Sequence, residues 1–166
     1  DASIQQLLDG DLDMICGGLD FPDHADIVKE PILRLRHTVF GRTGHPLASK
    51  KKVSAEELSK YPWIVLADDR ASGSTIGAYF AANGMEPPNV AVETSYLGAI
   101  TIARSTDYLS TFAENSRSEI EAFGLTQISH EGTFWDFEGG IARRRSSPPG
   151  SAFQGFRAIL KSSVAE

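Results

Sequence analysis

The residues best suited to chemistry lie near the middle of the chain, where polar side chains follow an apolar run. Residues 63–67 are typical of a buried strand, and residues 76–84 repeat apolar side chains at helical spacing. Between them lie four candidate ligand groups, Arg70, Ser72, Ser74 and Thr75. A strand that enters a Ser/Gly/Thr turn and then a helix directs hydroxyls, backbone N–H groups and the positive helix end to one place. We therefore expect a carboxylate or phosphate to bind here; the alternative is that a serine only caps the helix.

A second candidate lies near the start of the chain. Residues 12–16 predict a strand that finishes at Gly17 and Gly18, and paired glycines allow another group to approach the backbone closely. A plain tight turn is the alternative. Cys16, at the end of this strand, is interpreted as a small apolar filler rather than a reactive thiol, because no neighbouring group favours the thiolate.

No catalytic constellation is evident in the sequence. Residues 73–77 resemble a nucleophile elbow, but Ser74 stands one position too early for G-x-S-x-G. Asp68 and Asp69 are adjacent on an extended segment, so their carboxylates point to opposite sides and cannot act together. The four histidines lack metal-ligand spacing, and a single cysteine excludes a multi-cysteine site. We expect no metal and no cofactor.

Composition excludes several classes of partner. The chain has 166 residues, 41% of them hydrophobic, and a net charge of −6, which argues against a basic surface that binds nucleic acid. Arg143, Arg144 and Arg145 are interpreted as a solvated strand edge. No apolar run reaches the ~18 to 20 residues of a membrane span, and the first residues do not resemble a signal peptide. With no disulfide possible within the chain, we expect a reducing, cytoplasmic compartment and no membrane partner.

Helical and strand patterns alternate along almost the whole chain. Helices are predicted at 3–9, 54–60, from 74 to 84, at 96–103, at 114–122 and at 151–163, with Ser54 and Ser95 as N-caps. Strands are predicted at 12–16, 32–40, 63–67, 90–93, 108–112, 125–128 and 133–144. This order predicts an α/β fold with mainly parallel sheets, in which ligands bind beyond the carboxyl ends of the strands.

Several strings in fixed order make the chain resemble the effector-binding domain of LysR-type transcriptional regulators. Residues 7–15 (LLDGDLDMI) are similar to the family's L-x-x-G-x-L-D segment. Residues 30–32 (EPI) and 45–48 (HPLA) resemble its E-P-L and H-P-L-A passage. Residues 53–58 (VSAEEL) and 61–64 (YPWI) resemble the helix and strand that come next. The likeness covers nearly the whole chain.

The resemblance implies a two-lobed, periplasmic-binding-protein-like fold of type 2. Its sheets would be mixed, mainly parallel, with two crossover strands near residues 34–40 and 134–141. One lobe would comprise residues 1–36 and 139–166, and the other residues 37–138. The family's winged helix-turn-helix domain and the first strand, helix and strand of the first lobe have no counterpart here, so the chain is expected to be an N-terminally truncated portion with an open sheet edge.

The resemblance also implies a site. The serines and threonine with Arg70 would grip the anionic end of an effector, and Cys16, Gly17 and Gly18 would close the cleft from the other lobe. Phe134 would line the cleft, although core packing is the common fate of such aromatics. Residues 104–113 depart from the family's glycine-rich turn and following proline, which puts backbone contact from that side in doubt.

The function implied is that of a small-molecule sensor. The resemblance implies an anionic effector, a homodimer of effector domains, a tetramer for the full-length protein, and contact with DNA only through the missing domain. A solute-binding protein of an importer would use the same fold and is the alternative. An enzyme with a two-lobed cleft is a third hypothesis, and it predicts turnover that is lost when Ser74 or Asp69 is changed.

Overall fold

Two compact units make up the chain. The structure, a computed structural model, describes residues 2–67 and 72–164. Contacts divide the chain into Asp1–Leu35 with Phe137–Glu166, here called the terminal unit, and Arg36–Asp136, here called the central unit. Strands β2 (Ile27–Arg42) and β7 (Trp135–Arg144) contribute residues to both. The terminal unit is therefore built from both ends of the chain, whereas the central unit is continuous.

The central unit alternates strands and helices. Its elements are α2 (Ala55–Ser59), β3 (Trp63–Leu66), α3 (Ser72–Ala82), β4 (Val90–Thr94), α4 (Tyr96–Ala103), β5 (Ser110–Ala113), a 3-10 helix (Glu114–Ser116), α5 (Arg117–Ala122) and β6 (Leu125–Ile128). Strand β3 pairs in parallel with β4, and a parallel bridge joins Trp63 to Leu109 just before β5. Strand β2 runs antiparallel to both β5 and β6. Strands β3 to β6 therefore point the same way, and their ends define one carboxyl edge.

Burial on both faces explains the apolar run of β3. Trp63 and Val65 pack into a cluster with residues of α2 and α3, while Ile64 and Leu66 pack into a second cluster with residues of α4 and α5. Successive side chains of a strand point to opposite faces, so a strand covered on both sides must be apolar throughout. Helices on both faces thus fix the position of the carboxyl edge.

The terminal unit is smaller and less completely covered. It contains α1 (Ala2–Asp9), β1 (Met14–Gly18) and α6 (Ser151–Val164). Strand β1 runs antiparallel to β7, with Met14 opposite Arg143 and Gly18 opposite Gly139, and β7 lies beside β2. Helix α1 covers one face of these strands, where Leu7, Leu19, Ile27 and Ala142 are buried. On α6, by contrast, none of the described side chains is buried.

The balance of strand directions differs from the sequence-based expectation. The parallel arrangement holds for β3 to β6, but β1 with β7 and β2 with β5 and β6 are antiparallel pairs. A parallel neighbour requires a crossover connection, usually a helix. Strands β2 and β7 are single extended runs that contribute residues to both units, and β5 and β6 run antiparallel to β2 as β1 does to β7.

Strand β2 is also longer than predicted. The sequence predicted a strand at 32–40, yet one strand runs from Ile27 to Arg42 and includes Pro31. Proline lacks the N–H that a central strand needs and is confined to strand edges. Pro31 is exposed, and in the terminal unit the described strand order places β2 at the edge beside β7. An edge position explains why β2 can contain a proline.

Two predicted helix starts are confirmed. The Ser54 hydroxyl accepts a hydrogen bond from Glu57 N while the Glu57 carboxylate accepts one from Ser54 N, which makes a complete capping box. The pKa of Glu57 is held at about 2, first by its hydrogen bond from Lys50 and then by the one from Ser54 N. Ser95 caps α4 through Gly98 N. Helix α3, however, begins at Ser72 and not at Ser74.

The interpretation of the three arginines as a solvated edge was wrong. The Arg144 guanidinium donates to the carbonyl oxygens of Leu7 and Leu12, at the end of α1 and the approach to β1. Arg145 Nε donates to Ala25 O at 2.8 Å. Backbone carbonyls at a helix end have no intrahelical partner, and a guanidinium with five donors can satisfy several of them at once. Arg144 and Arg145 therefore connect the end of β7 to the first 30 residues, whereas Arg143 donates to the carbonyl oxygens of Arg144 and Ser147.

Within the described part of the chain, no helix is long and apolar enough to cross a membrane.

Candidate functional site

The carboxyl edge of the central unit begins with the turn from β3 to α3. Ser72 is fully buried, and its hydroxyl accepts a hydrogen bond from Leu66 N at 3.3 Å, which closes this turn. Thr75 Oγ1 donates to Ser72 O at 3.0 Å. Ser74 is exposed at the same helix start. Ser72 is thus occupied with the turn, whereas Ser74 and Thr75 stand closer to solvent. Arg70, like Asp68 and Asp69, lies outside the described residues.

A second helix start lies at the same edge, after β4. Ser95 Oγ accepts from Gly98 N at 3.4 Å, and Tyr96 and Leu97 are 41% and 67% exposed. A side chain at position 98 would be impossible without a shift, because a Cβ there would lie 2.3 Å from Thr94 Oγ1. The glycine therefore allows the hydroxyl of Thr94, the last residue of β4, to sit against the first turn of α4.

A polar cavity of about 150 Å³ lies at the same edge, where β6 ends and β5 meets the 3-10 helix. It is lined by Arg36, His37, Thr38, Glu114, Gln127, Ser129, His130 and Thr133. These residues come from β2, from β6 and from the segments that follow β5 and β6, and the most distant pair, Arg36 and Thr133, is 97 positions apart in the sequence. Sequence reasoning missed the cavity, because only strand pairing brings its residues together.

A chain of hydrogen bonds fixes the proton positions in this cavity. His130 Nδ1 lies 3.1 Å from Glu131 O, and a carbonyl can only accept, so Nδ1 carries the proton. Burial is the main cause that lowers the pKa of His130, so the ring is neutral and Nε2 accepts from Thr38 Oγ1 at 3.1 Å. Gln127 Nε2 in turn donates to Thr38 Oγ1 at 3.3 Å. The cavity therefore presents an oriented hydroxyl, amide and imidazole.

Charge in the cavity comes from an arginine between two carboxylates. Arg36 lies 3.9 Å from Glu114 and 3.8 Å from Asp136. These separations are long for ion pairs, and the Arg36 side chain is 56% exposed. Pairs with such geometry contribute about 0 to 1 kcal/mol in water. The guanidinium can consequently turn towards an anionic ligand at small cost.

Phe134 lies mainly in the core and not on an open surface. Its ring stacks on Tyr79 at 3.8 Å between centroids with an interplanar angle of 15°, and it lies 5.4 Å from the Trp63 ring. It is 7% exposed, and the exposed part lines a shallow cavity with Tyr79, Asn83 and Thr133. Phe134 also packs edge-on against His130 at 4.9 Å. Its clearest contact with the polar cavity is therefore through the imidazole.

Cys16, Gly17 and Gly18 lie in the terminal unit on β1. The interpretation of Cys16 as a small apolar filler was wrong, because a side chain that fills the core is buried and that of Cys16 is exposed. With Gly17 and Gly18 it lines an apolar cavity of about 250 Å³, together with Leu33, Leu35, Phe137, Gly139, Gly140 and Leu160. The glycines belong to the strand itself and do not form a turn after it. The surroundings are apolar, unlike those of the carboxyl edge.

Among the described residues, no group of three or more His, Cys, Asp or Glu side chains could hold a metal ion.

A family model matches almost the whole chain. The family is the LysR substrate binding domain, and the match covers residues 1–165. The chain belongs to this family. The match decides between two hypotheses that share one fold: this LysR domain is an effector-sensing domain and not the solute-binding protein of an importer. The family is one of regulator domains and not of enzymes.

A curated relative is the transcriptional regulator SsuR of Burkholderia cenocepacia. It is 31% identical over 83 residues, which are 50% of this LysR domain and 27% of SsuR. The chain thus spans about a quarter of the length of that relative.

Solved structures show the fold. One is the regulatory domain of Synechocystis CcmR, in complex with 2-PG. The match covers 98% of this chain and 78% of the CcmR chain, with a TM-score of 0.80 and 16% sequence identity. Another is the effector-binding domain of QuiR, in complex with shikimate. The match covers 98% of this chain and 78% of the QuiR chain, with a TM-score of 0.74 and 17% sequence identity. The LysR domain therefore has the two-lobed, periplasmic-binding-protein-like α/β fold of type 2 that the resemblance implied.

Proposed function

We propose that this LysR domain senses a small anionic metabolite at the carboxyl edge of its central unit, within a cytoplasmic transcriptional regulator. The observation that carries the proposal is the polar cavity, in which a hydroxyl, an amide, a neutral imidazole and a loosely paired arginine converge. A concave site with a few oriented polar groups at a sheet's carboxyl edge is the usual ligand position in such folds.

Two sets of groups would share the ligand. The start of α3 would hold the anionic end through backbone N–H groups and the hydroxyls of Ser74 and Thr75, aided by Arg70, while the buried Ser72 keeps the turn in place. The Thr38–Gln127–His130 chain would bind hydroxyl or carbonyl groups of the ligand body, and Arg36 would leave its carboxylates for the anion. The shikimate and 2-PG of the similar structures each combine an anionic group with further polar oxygen atoms. This supports a small polar anion as the ligand here.

The terminal unit would complete the site. We propose that the two units correspond to the two lobes, 1–36 with 139–166 and 37–138, and that Cys16, Gly17 and Gly18 approach the ligand from the other lobe. Phe134 would affect ligand binding indirectly, through its contact with the ring of His130. No catalytic step and no cofactor are part of this proposal.

Signal transmission would occur by population shift. An effector that binds one relative arrangement of the lobes more tightly favours that arrangement, and a ligand with equal affinity for both changes nothing. In the whole regulator, a dimer of effector domains, assembled as a tetramer, would pass the change to DNA-binding domains outside this chain. No membrane takes part.

Calorimetry on matched variants tests the site. The titrants are shikimate, 2-PG and further small carboxylates and phosphates that raise the thermal midpoint, since binding to the folded state stabilises it. For a ligand that binds, Ser74→Ala should weaken affinity by about 1 to 3 kcal/mol if it removes a donor to the anionic group. Thr38→Val should also weaken affinity, because it removes the hydroxyl that orients Gln127 and His130.

The control is Thr101→Val, because Thr101 lies on the exposed face of α4 and its hydroxyl bonds only within the helix. This variant should bind with unchanged affinity. Equal affinity of the control and both site variants for a confirmed ligand would contradict the proposed site. A ligand whose affinity depends on Thr38 but not on Ser74 would place it in the cavity and remove the α3 start.

A further inference from the structure

The hydroxyl of Thr38 has its hydrogen committed inside the polar cavity of the central unit. The side chain is 4% exposed, and its Oγ1 lies 3.1 Å from Nε2 of His130, which accepts in the neutral ring. A hydroxyl has one hydrogen to donate and two lone pairs that accept. Thr38 therefore donates to His130, and towards any further partner its oxygen can only accept.

The amide of Gln127 agrees with this direction. Its Nε2 lies 3.3 Å from Thr38 Oγ1, and an amide nitrogen donates and does not accept. Gln127 thus takes one lone pair of the hydroxyl oxygen and leaves the second. Because Thr38 lines the cavity, a ligand that bonds to this oxygen must itself supply the hydrogen.

The direction of the whole chain of hydrogen bonds originates at a backbone carbonyl. Glu131 O lies 3.1 Å from His130 Nδ1 and accepts from the Tyr79 hydroxyl at 2.7 Å, so both of its lone pairs have partners. The rings of Tyr79 and Phe134 pack edge-on against the imidazole at 6.0 and 4.9 Å between centroids. These contacts hold the ring with Nδ1 towards the carbonyl and Nε2 towards Thr38.

A charged group for an acid lies on the same strand. Arg36 and Thr38 are two positions apart on β2, so their side chains point to the same face of the strand, and both line the cavity. The cavity holds about 150 Å³, which is small beside the ~300 to 1,000 Å³ of sites for drug-sized ligands. It therefore suits a short acid whose polar groups lie close together.

We propose that the polar cavity selects a 2-hydroxy acid over the 2-oxo acid with the same carbon skeleton. The hydroxyl of the acid donates to Thr38 Oγ1 while its carboxylate binds Arg36. The carbonyl oxygen of a 2-oxo acid has no hydrogen, so it would bring two acceptors together and leave both without a donor, which costs free energy in a buried site. The inference rests on the proposed function and narrows its ligand class.

Calorimetry with matched pairs of acids tests the selection. The pairs are lactate with pyruvate and 2-hydroxyglutarate with 2-oxoglutarate, with both enantiomers of each hydroxy acid. The members of a pair carry the same carboxylates, so the ratio of their affinities reports the hydroxyl. One enantiomer of the hydroxy acid should bind about tenfold or more tightly than the oxo acid in at least one pair.

Variants of Thr38 show whether this residue causes the preference. Thr38→Val removes the accepting oxygen at nearly constant volume, so the affinities for the two members of the pair should become similar. Thr38→Ser restores a hydroxyl and should restore the preference, although both affinities can change. Thr101→Val, the exposed control on α4, should leave both affinities and their ratio unchanged. Circular dichroism confirms that each variant is folded.

The proton on His130 is tested without ligand and without substitution. In the chain labelled with 15N at its histidines, nuclear magnetic resonance at pH 7.5 should show His130 as the neutral tautomer with the hydrogen on Nδ1. A hydrogen on Nε2 would reverse the bond to Thr38 and free the hydroxyl to donate. That result would overturn the proposal even if a Thr38 variant did not fold.

The binding results separate this inference from the proposed function. Equal affinities within both pairs, or tighter binding of the oxo acids, would overturn the selection and leave the anion site standing. A preference that persists in Thr38→Val would assign it to another group and overturn the role of Thr38. If other small anions bind through the cavity but no member of either pair does, the ligand class is wrong. If no anion binds at all, the proposed function fails as well.

Discussion

Helices cover the strands of the central unit more completely than those of the terminal unit. In the central unit helices cover both faces of β3, and all four of its residues are buried. In the terminal unit α1 buries one face, while α6 leaves Phe156 and Ile159 exposed over the other. A sheet that is buried on both faces holds its edge residues in fixed positions, which is the condition for a specific ligand site. The terminal unit instead presents apolar area, which favours contact with other polypeptides.

The largest expected difference between the units concerns the core. Trp63→Ala removes a fully buried ring that contacts Phe80 and Phe134, and it should lower the free energy of unfolding by about 3 to 5 kcal/mol. Phe156→Ala, on the exposed face of α6, is the control and should cost less than about 1 kcal/mol. Urea unfolding followed by circular dichroism measures both. Similar losses for the two variants would mean that the units are equally well packed.

A smaller effect should follow when the polar connection within the terminal unit is removed. Arg144→Met keeps an unbranched side chain in place of the arginine stem but leaves the carbonyl groups of Leu7 and Leu12 without this donor. We expect a loss of about 1 to 3 kcal/mol in the free energy of unfolding. Arg117→Met is the matched control, because Arg117 makes an exposed pair with Glu121, which should contribute at most about 0.5 kcal/mol. If urea unfolding gives equal losses, the carbonyl contacts do not stabilise the unit.

The smallest effect concerns pH and belongs to the central unit. His45 is 2% exposed, its Nδ1 accepts from Leu47 N at 3.1 Å, and its Nε2 donates to Asp107 O at 3.2 Å. Burial is the main cause that lowers the pKa of His45 below its ordinary value of 6.5. The unfolded chain therefore binds a proton more readily, so stability is fully present above about pH 6.5 and falls as pH decreases through the folded pKa.

Thermal unfolding between pH 7.5 and pH 5 measures this dependence. His45→Asn, which keeps an acceptor near Leu47 N, should show a shallower decrease than the unchanged chain. The dependence that remains should include His130, because burial lowers its pKa as well. Identical slopes for the two proteins would show that His45 does not contribute to the pH dependence.

Local signals in the sequence predicted local structure well. The Ser54 and Glu57 capping box and the Ser95 cap each involve residues only three positions apart, so their spacing alone was sufficient. The position of β3 followed from its apolar run. These features are sufficient to predict from the sequence that α3 starts near a sheet edge.

Features that depend on pairing between distant segments could not be predicted. Thr38 and His130 are 92 positions apart, and they meet only because β2 and β6 are neighbours. The run of arginines looked like surface charge, because nothing in the sequence showed which carbonyl groups would lie beside Arg144. Cys16 was interpreted as a small apolar filler for a similar reason, since the exposure of a strand depends on its neighbours. Ser72 shows a further limit: its hydroxyl could be predicted to cap or to bind, but not to close a turn on Leu66.

The discontinuity of the terminal unit has a consequence for biosynthesis. Strand β1 pairs with β7, whose residues follow those of β1 by more than 120 positions, as Met14 and Arg143 show. Translation proceeds at about 5 to 20 residues per second. Strand β1 is therefore made roughly 6 to 25 s before β7, the strand with which it pairs, leaves the ribosome. The continuous central unit can fold during that interval. An uncharged, apolar strand is meanwhile available to chaperones and to neighbouring nascent chains on the same messenger RNA.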